Sequence, residues 1–112
     1  MTTALTYAIK YVGNMDAAVR FHQQQLGLKV RFQSPDWSEF ETGSTTLALH
    51  RANREHPAGS VELGFTVPDI AAFHAEGSRQ GVQFTSPPTE LHGQRIAKFR
   101  DIDGAECSVS GS

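Results

Sequence analysis

The sequence predicts an α+β fold built from two copies of a βαβββ module. The first observation is an internal repeat: the segment YAIKYVGNMDAAVRFHQQQLGLKV, which begins at Tyr7, is echoed by ELGFTVPDIAAFHAEGSRQGVQF, which begins at Glu62. The second is that each copy runs from an apolar strand ending in Val through a small turn and an amphipathic helix to a Gly stop. Such a repeat indicates a duplicated supersecondary unit. Each copy is too small to bury a sufficient core alone, so we expect the copies to share one core or to exchange with a second chain.

The first module begins with a strand over Ala4–Val12, a stretch rich in Tyr, Ile and Val. Asn14 is the predicted N-cap of the following helix. We expect this helix to run to about Leu26, with Gly27 as its stop. The remaining strands of the module are predicted at Leu28–Gln33, Trp37–Thr42 and Thr45–Arg51, the last two as a hairpin.

The second module repeats this order. Its first strand is predicted over Val61–Val67, and Pro68-Asp69 begins a helix that ends near Gln80, before Gly81. The rest is predicted as a strand over Val82–Thr85, a stiff loop over Ser86–Thr89, and a hairpin of Arg95–Arg100 with Ala105–Ser110. The chain is therefore predicted to be one domain, 1–112, with module one at 1–51, a linker at 52–60 and module two at 61–112.

Composition excludes several classes of protein. The net charge of −2 offers no electrostatic basis for binding nucleic acid or an anionic membrane. There is no apolar run long enough to span a bilayer and no signal-peptide pattern at the N-terminus. The single cysteine, Cys107, rules out an internal disulfide and is typical of a reducing compartment. We expect a cytoplasmic protein.

Three stretches together resemble the vicinal oxygen chelate superfamily, which includes glyoxalase I, extradiol dioxygenases, and fosfomycin-resistance and bleomycin-resistance proteins. They are the segment ending FHQQQLGLKV, the hairpin FETGSTTLALHR, and the close FRDIDGAECSV. The resemblance covers nearly the whole chain. It implies two βαβββ modules around a cupped, partly open barrel-like sheet with helices on the outside. It also implies a homodimer, in which modules can be exchanged between the chains. Because the superfamily hosts many chemistries, function has to be argued from the site.

Metal-dependent members of the superfamily hold a divalent ion at four strand positions. In this chain the resemblance carries those positions onto Tyr7, Ala48, Glu62 and Ser108. Ala48 has no ligand atom, and one carboxylate does not hold a catalytic metal, which normally has about three protein ligands. We therefore predict no metal and no other cofactor. The alternative is a shifted site for Fe, Mn, Ni or Zn made by Glu62 with His50 and Glu106, which lie one pleat from Ala48 and from Ser108 on the same strand faces.

The expected partner of the chain is a small organic ligand in a cleft between paired modules. Strand alternation turns one face of each predicted sheet toward this cleft. Its lining would be aromatic and mixed polar, as in small-molecule pockets. The predicted ligand-binding residues are Tyr7, Tyr11, Trp37, Ala48, His50, Glu62, His92 and Ser108. For Trp37, stacking on a ligand and covering core at a strand edge are both open.

The sequence leaves three alternative functions open. The first is a metal-free small-molecule-binding protein, similar to the bleomycin-resistance branch. The second is a lyase, isomerase or dioxygenase that uses the shifted metal site, or Glu62 as base with Tyr7 as a hydrogen-bond donor to an enolate-like oxygen. The third is a dimeric scaffold that binds a protein partner. We place the first ahead because the family's ligand set is missing.

Overall fold

The computed structural model describes residues 2–91 and 93–112. The elements run β1 (Ala4–Val12), α1 (Met15–Arg20), a π-helical turn (Phe21–Gln25), β2 (Lys29–Phe32), β3 (Trp37–Glu41), β4 (Thr46–Arg51), β5 (Val61–Val67), α2 (Ile70–Arg79), β6 (Gln83–Leu91), β7 (Gln94–Arg100) and β8 (Glu106–Gly111). This order gives two βαβββ halves, so the predicted α+β class is confirmed.

The chain divides into two compact units. We call Thr6–Val61 the first unit, and Glu62–Ser112 with the N-terminal residues up to Leu5 the second unit. The strand order is β2-β3-β4-β1 in the first unit and β5-β8-β7-β6 in the second. In each unit the first and last strands of the half run parallel, and the other neighbours are antiparallel. The two copies of the repeat therefore have the same sheet topology.

In the first unit, the helix follows the predicted cap. The Asn14 side chain accepts a hydrogen bond from the backbone N–H of Ala17 at 3.0 Å, which satisfies one of the free donors of the first turn. The last helical turn is π-helical, because the N–H of Leu26 bonds to the carbonyl of Phe21, five residues back, at 3.3 Å. The buried core under this helix consists of Val12, Val19, Phe40 and Leu49.

In the second unit, Asp69 caps α2 in the same way, accepting from the N–H of Ala72 at 3.0 Å. The buried core between this helix and its sheet consists of Val67, Ile70, Ala97 and Val109, with four phenylalanines packed around it. Gly111 lies against this core, and a methyl group added to it would meet the carbonyl oxygen of Val67 at 2.5 Å. The sheet therefore requires glycine there.

One predicted loop is wrong. The Ser86–Thr89 segment, expected as a stiff loop, lies inside β6, which continues through Pro87 and Pro88 to Leu91. Proline is tolerated in an edge strand because its missing N–H is not required there, and β6 stands at the end of its unit's strand order. The pairing of β6 with β7 shifts register near the two prolines, which absorbs their fixed backbone geometry.

Candidate functional site

Each unit has one sheet face covered by its helix and one opposite, which we call the helix-free face. In the first unit, alternation along β1 and β4 brings Tyr7, Ile9 and Tyr11 to the helix-free face with Ala48 and His50, as predicted. Ile9, Tyr11 and Ala48 form a buried cluster there, separate from the core under the helix. This face therefore has its own apolar floor.

Tyr11 and Ala48 form part of the buried floor of the helix-free face. The ring of His56 stacks on Tyr11 at 4.4 Å with an interplanar angle of 9°, and His50 packs on the same ring at 4.9 Å. Tyr11 is left 3% exposed and Ala48 is fully buried. These two residues shape and support the face.

Tyr7, Trp37 and His50 form the accessible aromatic surface of this face. The rings of Tyr7 and Trp37 are 6.2 Å apart, and those of Trp37 and His50 meet edge-on at 5.8 Å. All three side chains are half-buried. The ring Nδ1 of His50 donates to the carbonyl of Arg51 at 2.7 Å, which fixes the orientation of the imidazole.

A polar network borders these rings. The indole N–H of Trp37 donates to the Glu39 carboxylate at 2.9 Å. Arg31 donates to the same carboxylate through Nε at 3.1 Å and Nη2 at 2.8 Å, and to the Thr46 hydroxyl at 2.6 Å. The hydrogen bond to Glu39, with the nearby negative charge, raises the pKa of Arg31. The guanidinium therefore remains a fixed positive charge beside the aromatic surface.

In the second unit, the helix-free face carries a three-residue charge cluster. The Lys98 ammonium lies 3.5 Å from a Glu62 oxygen and 3.6 Å from a Glu106 oxygen. Glu62 is only 3% exposed, whereas Lys98 is 35% exposed and Glu106 is 22% exposed at their side chains. The Thr85 hydroxyl also donates to Glu106, at 3.3 Å. Glu62 is thus a buried carboxylate that faces an internal cation, as burial of a charge requires.

Ser108 lies in the middle of the same face. It stands opposite Gly64 on β5 and opposite Lys98 on β7. Further along the strands, the hydroxyls of Thr66 and Ser110 are 3.3 Å apart. Small hydroxyl side chains therefore continue the face beyond the charge cluster.

The residues at the four positions of the family's metal set do not fit a divalent ion. Ala48 presents only a buried methyl group, and neutral Tyr7 and Ser108 are weak ligands for such ions. At Glu62, the one strong donor of the four, the adjacent cation is the ammonium of Lys98. No step of a mechanism is therefore assigned to a metal.

Sequence reasoning missed the roles of Lys98 and Arg31. A signal for Lys98 was available, because counting back from the Asp101–Gly104 turn of the last hairpin places it opposite Ser108. Arg31 lies at the register shift between Val30 and Phe32 in the pairing of β2 with β3. A regular continuation from the Val30–Phe40 pair would also have placed Arg31 opposite Glu39, so a signal for this contact was available too.

Two further predicted features have clear placements. Cys107 is 5% exposed and lies away from the helix-free face, as the alternation of β8 requires. Burial, followed by the nearby charges of Asp101, Glu62 and Glu106, raises the pKa of its thiol, so it is no nucleophile at neutral pH. His92, a predicted ligand contact, lies outside the described residues.

A cavity of about 680 Å³ lies elsewhere in the first unit, by the start of α1. Its lining consists of Gly13, Asn14, Met15, Asp16, Gln33, Ser34, Pro35 and Arg51. None of the predicted site residues is among them, so this cavity is not the predicted binding surface. Across residues 2–91 and 93–112, neither helix has the length and apolar character needed to cross a membrane.

The fold is shared with solved structures of low sequence identity. A Streptomyces coelicolor methylmalonyl-CoA epimerase, solved with 2-nitronate-propionyl-CoA, is 19% identical with a TM-score of 0.82, over 100% of this chain and 96% of that one. A hypothetical protein from Bacillus halodurans is 16% identical with a TM-score of 0.81, over 100% and 96% of the two chains. A glyoxalase/bleomycin resistance protein/dioxygenase superfamily member from Vibrio splendidus is 17% identical with a TM-score of 0.76, over 99% of this chain and 100% of that one. These similarities establish the fold alone.

Comparison with curated proteins found no match. The family model described as Glyoxalase/Bleomycin resistance protein/Dioxygenase superfamily matches residues 4–109, nearly the whole chain. This match agrees with the two βαβββ halves of the structure and with the internal repeat that begins at Tyr7 and at Glu62. The chain belongs to the glyoxalase/bleomycin resistance protein/dioxygenase superfamily.

Proposed function

We propose that this chain is a small-molecule-binding protein of its superfamily that works without the usual metal. Its organic ligand would bind on the helix-free face of the first unit. The observation that carries the proposal is the accessible surface of Tyr7, Trp37 and His50, held at 5.8–6.2 Å between rings and bordered by Arg31 and Glu39. Small-molecule sites combine apolar walls with a few fixed polar groups in this way.

The chemistry of this face favours an unsaturated or aromatic molecule that carries a carboxylate or carbonyl oxygen. Aromatic side chains contact flat groups by offset or edge-on stacking. Arg31 uses its Nε and one Nη in the contacts described above, and a guanidinium has five N–H donors. Donors therefore remain for an acceptor oxygen on a ligand beside Trp37.

The lone tryptophan makes the proposal testable by fluorescence. Trp37 emission would be titrated with a panel of aromatic carboxylates, such as benzoate and phenylpyruvate, and of acyl-CoA thioesters. We expect a saturable change for at least one class, weakened by Tyr7→Ala. The matched control is Thr66→Ala on the second unit, which should bind as the wild type does. If the panel gives no saturable change, or if both variants behave alike, ligand binding on this face is rejected.

An enzyme is the second candidate, favoured by Glu62. A carboxylate that is 3% exposed and faces a lysine can act as the base for proton abstraction next to a carbonyl. Tyr7 as donor to an enolate-like oxygen, and a shifted metal site at His50, Glu62 and Glu106, remain predictions.

The fold shared with methylmalonyl-CoA epimerase gives a concrete substrate to try. Wild type and Glu62→Gln would be incubated with methylmalonyl-CoA in D₂O, and exchange of the α-proton followed by NMR. Exchange that Glu62→Gln abolishes would favour the enzyme; binding without exchange would favour the binding protein.

The expected assembly is a homodimer, with exchange of modules between chains as an alternative arrangement, and the expected compartment is the cytoplasm. The family resemblance supports the first and the single cysteine supports the second. Light scattering coupled to gel filtration tests the dimer directly. A single species with the mass of one chain would exclude it.

A further inference from the structure

The charge cluster of the second unit has the form of a filled cation site. Glu62 is almost completely buried, and its carboxylate and that of Glu106 both point at one ammonium, that of Lys98, at 3.5 Å and 3.6 Å. Divalent ions that bind oxygen ligands are also held by one or two carboxylates converging on the ion. Here the cation is supplied by the chain itself.

An ammonium and a divalent ion compete for the same carboxylate oxygens. Desolvating Glu62 is unfavourable unless a cation stays close to it. The stem of Lys98 arises from β7, opposite Ser108, so the ammonium is tethered beside both acids whenever the sheet is formed. A metal ion would have to displace the Lys98 ammonium, which stays close to both carboxylates because its side chain is attached to β7.

The first unit balances its own acid in a comparable way. Ala48 in β4 and Ser108 in β8 occupy equivalent positions in the two parallel strand pairs. Glu39 stands opposite Ala48 and Lys98 stands opposite Ser108, so Glu39 and Lys98 are equivalent positions as well. Glu39 is held by the guanidinium of Arg31 at 2.8 Å. On both helix-free faces, therefore, a side-chain cation neutralises the acids that face it.

We propose that the Lys98 ammonium takes the place of a divalent cation on the helix-free face of the second unit. Lys98 keeps metal away from Glu62 and Glu106, and removing its charge opens a divalent-cation site on those two carboxylates. This inference deepens the metal-free part of the proposed function. It does not depend on whether a ligand binds beside Trp37.

The test measures Mn(II) binding by electron paramagnetic resonance, which counts free Mn(II) directly. Wild type, Lys98→Met, Lys98→Arg and the double variant Lys98→Met/Glu62→Gln would be compared, each checked for folding by circular dichroism. We expect Lys98→Met to bind Mn(II) at least about tenfold more tightly than wild type, because the ammonium that competes for the oxygens of Glu62 and Glu106 is gone. Lys98→Arg should behave as wild type, and the double variant should lose the gain.

Two results overturn the proposal: a wild type that binds Mn(II) as tightly as Lys98→Met, or a folded Lys98→Met that gains no affinity. If Lys98→Met does not fold, Lys98→Gln replaces it, and a second measurement uses wild type alone. The side-chain carboxyl ¹³C signal of Glu62 should stay sharp in millimolar Mn(II), and selective broadening would refute the claim. A failed Trp37 titration leaves every one of these outcomes unchanged, so the two proposals fail separately.

Discussion

Glu39 and Lys98 occupy the same register position in the two copies of the repeat and carry opposite charges. Glu39 stands opposite Ala48 and Lys98 opposite Ser108, and the parallel strand pairs match Ala48 with Ser108. Both side chains lie on the helix-free face of their own unit, within ion-pair distance of a group of opposite sign. The two units thus share their strand register but carry opposite charges at one equivalent position, so their helix-free faces differ in polar chemistry.

Lys98 is expected to contribute measurably to stability through Glu62. The change Lys98→Met removes the ammonium that faces the buried Glu62 carboxylate and the neighbouring Glu106, and removing one partner of a buried ion pair normally costs several kcal/mol. Because Lys98 is 35% exposed, solvent screening reduces this, and we expect a loss of about 1–3 kcal/mol in the free energy of unfolding. Urea denaturation measures it.

The matched comparison is a double-mutant cycle. Glu62→Gln removes the charge that needs compensation, so Lys98→Met should cost clearly less in the Glu62→Gln background than in wild type. Equal costs in both backgrounds would show that the two side chains do not interact, and that Glu62 is accommodated by other means.

Cys107 is expected to resist thiol reagents in the folded protein. Its pKa is raised, chiefly by burial, so little thiolate forms near neutral pH, and the side chain is only 5% exposed. Labelling by a disulfide reagent should be slow at pH 7 and become rapid on denaturation. Fast stoichiometric labelling of native protein at pH 7 would contradict this placement.

The raised pKa of the Cys107 thiol also affects stability at alkaline pH. The folded-state pKa of the thiol lies above the unfolded value, so this group's contribution is fully present below the usual thiol pKa of about 8.5. It is lost as pH rises through the folded pKa. Cys107→Ala should remove this dependence, which urea denaturation at several alkaline pH values would reveal; an unchanged pH profile would mean that the thiol is not responsible.

Gly111→Ala should destabilise the second unit. The added methyl would lie 2.5 Å from the carbonyl oxygen of Val67 and 3.3 Å from Cβ of Ile70, so packed strands would have to separate. We expect a loss of about 1–3 kcal/mol, as for overpacking elsewhere. Gly13→Ala is the matched control, since its new methyl would meet Ala58 Cβ at an ordinary 3.7 Å. Thermal unfolding of both variants measures the difference, and equal midpoints would refute the close packing at Gly111.

Much of the fold could be predicted because local signals and tertiary structure agree. The bounds of β1 and β5 were predicted as observed, since both are dense in strand-forming residues and end at a turn. The cap at Asn14 was predicted from side-chain chemistry alone and makes the expected hydrogen bond. The strand through Pro87-Pro88 was missed because proline's effect depends on whether a strand lies at an edge, which is a tertiary property.

The site was predicted in part for a similar reason. Alternation along β1 and β4 predicted that Tyr7 and His50 share a sheet face with Ala48, and they do, because a period of two propagates along any regular strand. It did not show that His56, from the segment expected as a linker, stacks on Tyr11, since no periodicity governs that segment. Nor did it identify Lys98 as the cation beside Glu62.

We expect a small organic ligand to bind on the Tyr7–Trp37 face without a metal. The most direct test titrates Trp37 fluorescence with the best compound of the panel, in chelator-treated protein and in protein incubated with Fe(II), Mn(II), Ni(II) or Zn(II) and then desalted. We predict the same saturable change and the same affinity in every preparation. Binding that appears only after metal loading, with about one ion retained per chain, would contradict metal-free binding and indicate a metal-dependent member of the superfamily.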